Sequence, residues 1–181
     1  MSYFSKEGNL KDVLVGIKKV AKYVKSTMGA MGRSVLMNTH TARGVWATDD
    51  GVSVVRSQVL EDPGEDAGRV LCLDAANRTV AEAGDGTTAT IVLLESLAEF
   101  FLDLPEKLKV WQVKKGAEAA KDAVIDILKG SAIPVVENGN VNKELLDAVA
   151  LTSAKGDEGI ARMISDIVEQ IGEHGEIEVK P

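Results

Sequence analysis

Leu10, Val13, Leu14, Ile17, Val20, Ala21 and Val24 fall at the three-and-four spacing of a single helical face. That spacing predicts a helix over 10–28, and an amphipathic helix of this length holds only if its apolar stripe is buried against other elements. Lys18, Lys19, Lys22 and Lys25 take the other side and read as a solvated face, which near a helix C-terminus also suits the dipole. Helical patterning returns over 66–83, 88–102 and 108–129, so the fold class is mainly α. Of these, 88–102 is strongly apolar and is expected to be buried. The runs 34–37, 45–48 and 52–55 read as three short strands, with Asp49-Asp50-Gly51 as an Asp-Gly turn between the last two.

With 181 residues, 45% of them hydrophobic, the chain has material for a substantial core and for one domain or one and a half. Its 28 acids outnumber its 21 bases for a net charge of -7, and no run of Lys or Arg is long enough to neutralise a phosphate backbone, which argues against nucleic acid. Apolar stretches such as 90–94 are far too short for a bilayer span, and the first seven residues hold no apolar signal core, so no membrane partner and a cytoplasmic location are expected. Cys72 is the one cysteine and reads as core filler. His40 and His174 lack a second imidazole or thiol at ligand spacing, which leaves zinc and a histidine dyad without support.

Gly84-Asp85-Gly86-Thr87-Thr88 stands between two helical segments and supplies two glycines, a carboxylate and two hydroxyls in five residues. Glycines let backbone N–H groups approach an anion, the hydroxyls add donors, the following helix points its positive end at the charge, and Asp85 can hold Mg²⁺. The same five residues also suit a plain helix start after a glycine turn. Between the segments 10–28 and 34–37 lies a second glycine-punctuated loop, Thr27-Met28-Gly29-Ala30-Met31-Gly32-Arg33.

Beyond the helix over 108–129, which Gly130 is expected to stop, 131–140 is irregular and contains Pro134 and Gly139, a plausible boundary. Two shorter helices follow over 143–151 and 157–171, and 176–180 alternates like a strand. Nothing else after 131 looks β-like, so that closing strand needs a neighbour from another chain or from polypeptide downstream.

In order and wording these loops resemble one family, the group I chaperonins of the GroEL type. The 27–33 loop is similar to the family's Thr-Leu-Gly-Pro-Lys-Gly-Arg, Thr48-Asp49-Asp50-Gly51-Val52-Ser53-Val54 to its Thr-Lys-Asp-Gly-Val-Ser-Val, and Gly84-Asp85-Gly86-Thr87-Thr88-Ala89 to its Gly-Asp-Gly-Thr-Thr-Thr. Thr152-Ser153-Ala154-Lys155-Gly156-Asp157-Glu158 resembles its Ile-Ser-Ala-Asn-Ser-Asp-Glu. The tail from Ile171 to Val179 resembles its Val-Gly-Lys-Glu-Gly-Val-Ile-Thr-Val.

The resemblance implies a multihelical equatorial domain over 1–132 with a small β element, followed over 133–181 by the ascending part of an α/β intermediate, or hinge, domain. It implies ATP and Mg²⁺ as cofactors. Thr27, Met28, Gly29 and Ala30 would approach the nucleotide, Asp49 would lie beside it, Asp85 would ligate the metal, Gly86, Thr87, Thr88 and Ala89 would wrap the phosphates, and Asp50 would be the catalytic carboxylate that directs water. It further implies an ATPase acting in a heptameric ring, single or double, on unfolded client proteins, with a possible co-chaperonin. The apical domain and the C-terminal equatorial part would be absent from these 181 residues, as expected of part of a longer chaperonin or of a truncated relative.

Four positions depart from the family's wording. Ala30 stands for a proline, Met31 for a lysine, Asp49 for a lysine and Ala89 for a threonine. The change at Asp49 shifts local charge by two units beside a polyphosphate, from which weaker ATP affinity or an altered nucleotide preference is expected. A non-hydrolysing nucleotide-binding scaffold and a purely structural module are the other two readings.

Overall fold

The computed structural model describes residues 6–29, 32–38, 44–105, 107–137, 139–172 and 175–178. Ala30, Met31, His40 and His174 lie outside the described residues. The chain forms two compact units, Met1–Leu108 and Lys109–Pro181.

The first unit opens with α1, Lys6–Val24, which tightens into a 3-10 turn, Lys25–Thr27. Then come β1, Val35–Asn38, and β2, Val45–Thr48, paired antiparallel with Val35 opposite Thr48 and Met37 opposite Trp46. Three helices follow: α2, Gly51–Ser57; α3, Pro63–Ala83; and α4, Thr87–Leu102. The α1 stripe is buried from Ile17 onward, with Ile17, Val20, Ala21 and Val24 packed among Cys72 and Ala76 of α3, Ile91 of α4, Val52, Val54 and Val55 of α2, and Met37 of β1, while Val13 and Leu14 are half-buried and Leu10 is exposed. Each Val, Ile or Met side chain of this set contributes about 1.5–3 kcal/mol on full burial. Cys72 is a core residue, as expected.

Where α1 crosses α3 the two backbones touch. A Cβ on Gly16 would lie 1.9 Å from the Glu65 carbonyl oxygen, and one on Gly68 2.2 Å from that of Val13. No side chain larger than hydrogen fits at either position without moving a helix.

The expected third strand is a helix. Val52-Ser53-Val54-Val55 alternates and is β-branched, but the Asp50 side chain accepts hydrogen bonds from the Val52 and Ser53 amides and caps a seven-residue α2. Val52, Val54 and Val55 are all buried there, and tertiary packing overrides strand propensity. The Asp-Gly pair is therefore a helix start and no hairpin turn.

A further expectation is corrected. Only Thr87, Ile91 and Glu95 of α4 are buried, whereas Leu93, Leu97, Phe100 and Phe101 are exposed. The lysine side of α1 is exposed, as expected, and is also tied to its neighbours: Lys18 pairs with Glu99 at 2.8 Å, Lys19 with Glu65 at 2.5 Å, and Lys25 with Glu95.

The second unit begins with α5, Val110–Ser131. It runs through Gly130, because the Ser131 hydroxyl donates to the Ile127 carbonyl at 2.9 Å and the chain turns extended only at Ala132, two residues before Pro134. The stretch after Ser131 does contain strands: β3, Val136–Glu137, and β4, Asn140–Val141, form a minimal hairpin. In the closing segment the described residues 175–178 form no strand, and 179 and 180 lie outside the described residues.

Helices α6, Lys143–Ser153, and α7, Glu158–Ile171, start on the side-chain caps Asn142 and Asp157 and pack through Leu146, Ala150, Ala161 and the fully buried Ser165. Ser165 donates to Asp147, and Lys143 reaches Asp166 and Glu169, each at 2.8 Å, which raises the lysine's pKa. The fold is thus mainly α with short two-stranded elements. Among the described residues no helix is long and apolar enough to cross a membrane.

Candidate functional site

Three loops of the first unit meet at the N-terminus of α4. The first leaves α1 through the 3-10 turn. The Thr27 hydroxyl donates to the Val24 carbonyl at 2.8 Å, and the loop closes where the Arg33 amide donates to the Ser26 carbonyl at 2.7 Å and the Gly32 amide to the Gly29 carbonyl at 2.9 Å. Met28 and Gly29 stand exposed on this loop, and Thr27 is half-buried.

The second loop is the start of α2. Asp50 Oδ2 accepts from the Ser53 amide at 3.0 Å and the Ser53 hydroxyl at 2.6 Å, while Oδ1 accepts only a longer bond from the Val52 amide, 3.3 Å. A carboxylate has about four acceptor positions, so Oδ1 keeps capacity for water. Asp49 beside it is half-buried.

The third loop joins α3 to α4. Gly84 and Gly86 hold φ of 75° and 90°, a left-handed backbone that favours glycine, and they fold the chain back within three residues. Asp85 between them is exposed, and its Oδ1 accepts from the Gly86 amide at 2.6 Å. Thr87 is buried at the first position of α4, with Thr88 and Ala89 half-buried behind it.

The loops touch through small polar groups. The Thr27 and Thr88 hydroxyl oxygens lie 3.3 Å apart. A Cβ on Gly51 would lie 3.1 Å from both the Thr87 and the Thr88 hydroxyl oxygens, so the start of α2 presses its backbone directly against the start of α4. Thr27, Gly51, Thr87 and Thr88 are thereby brought together. Asp49, Asp50 and Asp85 stand on the same loops, and Ala30 lies outside the described residues.

Helices α2, α3, α6 and α7 each begin on an Asp or Asn side chain that accepts their first amides, and α4 begins on Gly86 with no side-chain cap. Its first intrahelical bond runs from the Thr90 amide to the Gly86 carbonyl at 3.0 Å, which leaves the amides of Thr87, Thr88 and Ala89 for an outside acceptor. An uncapped helix start lined with hydroxyls and backed by a glycine is suited to an anion such as a phosphate. The donor set also suits Mg²⁺, which takes oxygen ligands and is commonly held by one or two carboxylates together with phosphate oxygens and water. Among the described residues no cluster of three or more His, Cys, Asp or Glu could hold a metal without such help.

Sequence reasoning missed Gly51, whose signal was a glycine directly after a capping Asp. It also missed Ser53, which shares Asp50's oxygen, and Lys25, which opens the Thr27 turn.

A sequence profile of the TCP-1/cpn60 chaperonin family matches residues 20–180. The chain is 34% identical over 171 residues to a protein named Chaperonin GroEL from Methanoregula boonei, and 33% identical over 169 residues to one of the same name from Methanospirillum hungatei. These alignments cover 94% and 93% of this chain and 30% of each relative, so the chain spans under a third of their length. Among solved structures it is similar to the chaperonin gp146 from the bacteriophage EL 2 (Pseudomonas aeruginosa), crystallised in two forms in the presence of ATP-BeFx. That likeness has a TM-score of 0.74 at 30% identity, over 91% of this chain and 28% of the other. With a profile match that takes in α2 and α4 and relatives matched along nearly its whole length, this chain belongs to the TCP-1/cpn60 chaperonin family.

Proposed function

We propose that this chain is the ATP-binding part of a chaperonin subunit, in which the three loops around the start of α4 hold Mg-ATP and Asp50 directs the water that attacks its terminal phosphate. The observation that carries the reading is the convergence of Thr27, Gly51 and Thr88 on a helix start with no cap of its own. Similarity to a phage chaperonin crystallised with ATP-BeFx supports nucleotide as the anion.

In this reading the Thr27–Gly29 backbone approaches the nucleotide, the hydroxyls of Thr87 and Thr88 and the amides through Ala89 receive the phosphates, and Asp85 holds the metal. Bound Mg²⁺ neutralises charge on the phosphate oxygens. Asp50 Oδ1, the less committed oxygen, accepts a proton of the water and aims its lone pair along the line of attack. Residues 1–132 would serve as the equatorial domain and 133–181 as the ascending hinge segment. A heptameric ring, single or double, unfolded clients, a co-chaperonin and a cytoplasmic setting belong to the same proposal.

The chain is titrated with Mg-ATP and phosphate release is followed. Wild type should bind, Asp85→Ala should lose the Mg²⁺ dependence of binding, and Asp50→Ala should bind without turnover. Equal calorimetric traces for wild type and an Asp85→Ala, Thr88→Val double variant would sink the reading. A non-hydrolysing scaffold is the second reading, favoured by the three hydrogen bonds that already engage the Asp50 carboxylate. Wild-type binding with no phosphate release would support it.

A further inference from the structure

The buried face of α4 reads Thr87, Ile91, Glu95, three positions spaced by four and stacked along one line of the helix. Thr87 belongs to the candidate phosphate end, and Ile91 is a core residue. Glu95, two turns further on and only 8% exposed, is a carboxylate where the pattern calls for a hydrocarbon. Burying an ionised carboxylate is costly unless a cation meets it. The cation is Lys25.

Lys25 opens the 3-10 turn Lys25–Thr27. Two residues later Thr27 makes its 3.3 Å approach to Thr88. The exit of α1 is therefore fastened to α4 at two heights, by hydroxyls at the tip of the helix and by an ion pair two turns below. A second ion pair, Lys18 with Glu99, joins the same two helices seven residues earlier on α1. Both of its side chains are 47% exposed, against 10% for Glu95, so the two rungs differ in kind. The outer one is a solvated surface pair of small worth; the inner one has a lysine 48% exposed, and its carboxylate is shielded and next to the loop.

Resting on the nucleotide-site reading above, we propose that Lys25 and Glu95 are a positioning pair that holds the Thr27 loop in register with the N-terminus of α4. The pair touches neither nucleotide nor water. It acts by fixing where the 3-10 turn begins, and hence where the Thr27 hydroxyl and the Met28 and Gly29 backbone stand relative to the Thr87 and Thr88 amides. The Thr27–Thr88 hydroxyl contact ties the loop to α4 at a single point, and a second attachment off that point stops the loop from turning about it.

The test uses the nucleotide-free chain first. The Gly32 and Arg33 amides donate within the loop at 2.9 and 2.7 Å, and their hydrogen exchange reports its order. A Lys25→Met, Glu95→Gln double variant removes both charges together and leaves no buried ion alone. Protection at Gly32 and Arg33 should fall on the order of tenfold, a size usual for coupled neighbours, while the Val20 and Val24 amides inside α1 stay as in wild type. Lys25→Arg should restore the loop, and Lys18→Met, which cuts only the outer rung, should leave it unmoved. Mg-ATP affinity should drop by a similar factor in the double variant alone. Wild-type protection of Gly32 and Arg33 in the double variant, or a loss spread evenly through α1, overturns the proposal. If no protein in the set binds Mg-ATP while the loop amides respond as described, the nucleotide reading fails and the register claim stands on exchange alone.

Discussion

The hydroxyl oxygens of Thr27 and Thr88 stand 3.3 Å apart across 61 positions of sequence, and that approach joins the exit of α1 to the entrance of α4. Thr88→Val removes one hydroxyl with little change of shape. Mg-ATP affinity in a calorimetric titration should fall about tenfold to a hundredfold, the usual worth of a hydrogen bond to a charged group, while the thermal midpoint without nucleotide stays near wild type.

Asp50 has two duties in this reading, and two substitutions separate them. Asp50→Asn keeps an acceptor for the first amides of α2, and Asp50→Ala removes it. Urea unfolding should show a loss of about 1 kcal/mol for the alanine variant and little for asparagine. Phosphate release should be lost in both. An asparagine variant with wild-type turnover would remove Asp50 from the chemistry.

At Asp49 the chain has a negative charge where similar chaperonin loops have a lysine. Asp49→Lys reverses that charge beside the candidate phosphates and should tighten Mg-ATP binding, most clearly at low ionic strength. An unchanged or weaker dissociation constant would contradict a phosphate at this place.

Burial, and then the nearby charge of Glu95, push the Cys72 thiol up from 9.0 to about 12. The unfolded thiol ionises near its ordinary value, so between pH 9 and 12 the unfolded chain sheds a proton that the folded chain keeps. The stabilisation is whole below pH 9 and drains away as pH rises toward 12. Cys72→Ala should flatten that part of the stability profile measured by urea titration across pH. In the native wild type the thiol should also resist alkylation at pH 8.

Glycines at two places in the helices should answer oppositely to alanine. Gly68→Ala forces a methyl to within 2.2 Å of the Val13 carbonyl oxygen and should cost about 1–3 kcal/mol or more in urea unfolding. Gly116 in α5 has nothing within 4 Å of an added Cβ, so Gly116→Ala should stabilise that helix by about 0.5–1 kcal/mol.

Much of the fold was legible because its signals are local. Helices α1 and α3 are visible in their apolar periodicity, α6 and α7 as short helical segments after the irregular stretch 131–140, and β2 in its run 45–48. The region 52–55 was misread because Val-Ser-Val-Val has the side chains of a strand, and what makes it a helix is a cap at Asp50 together with burial among α1 and α3, which no short window contains. The β3–β4 hairpin escaped notice because two-residue strands carry no period. In the site, each loop was visible as a motif of glycines, carboxylates and hydroxyls. Its assembly was not, since the contacts of Thr27 with Thr88 and of Gly51 with Thr87 join parts of the chain far apart in sequence. Lys25 looked like one more solvated lysine because its counter-charge, Glu95, sits in a segment that otherwise reads as hydrocarbon.

Helix α4 begins bare, where α2, α3, α6 and α7 begin on a side chain of their own. With glycine at the cap position the helix forgoes about a few tenths of a kcal/mol, and any anion that settles on the open amides would more than offset it. In the proposed reading ligand and scaffold would not be separable: an anion bound there would stand in for the missing side-chain cap of the helix, and the folded fraction would rise and fall with its supply.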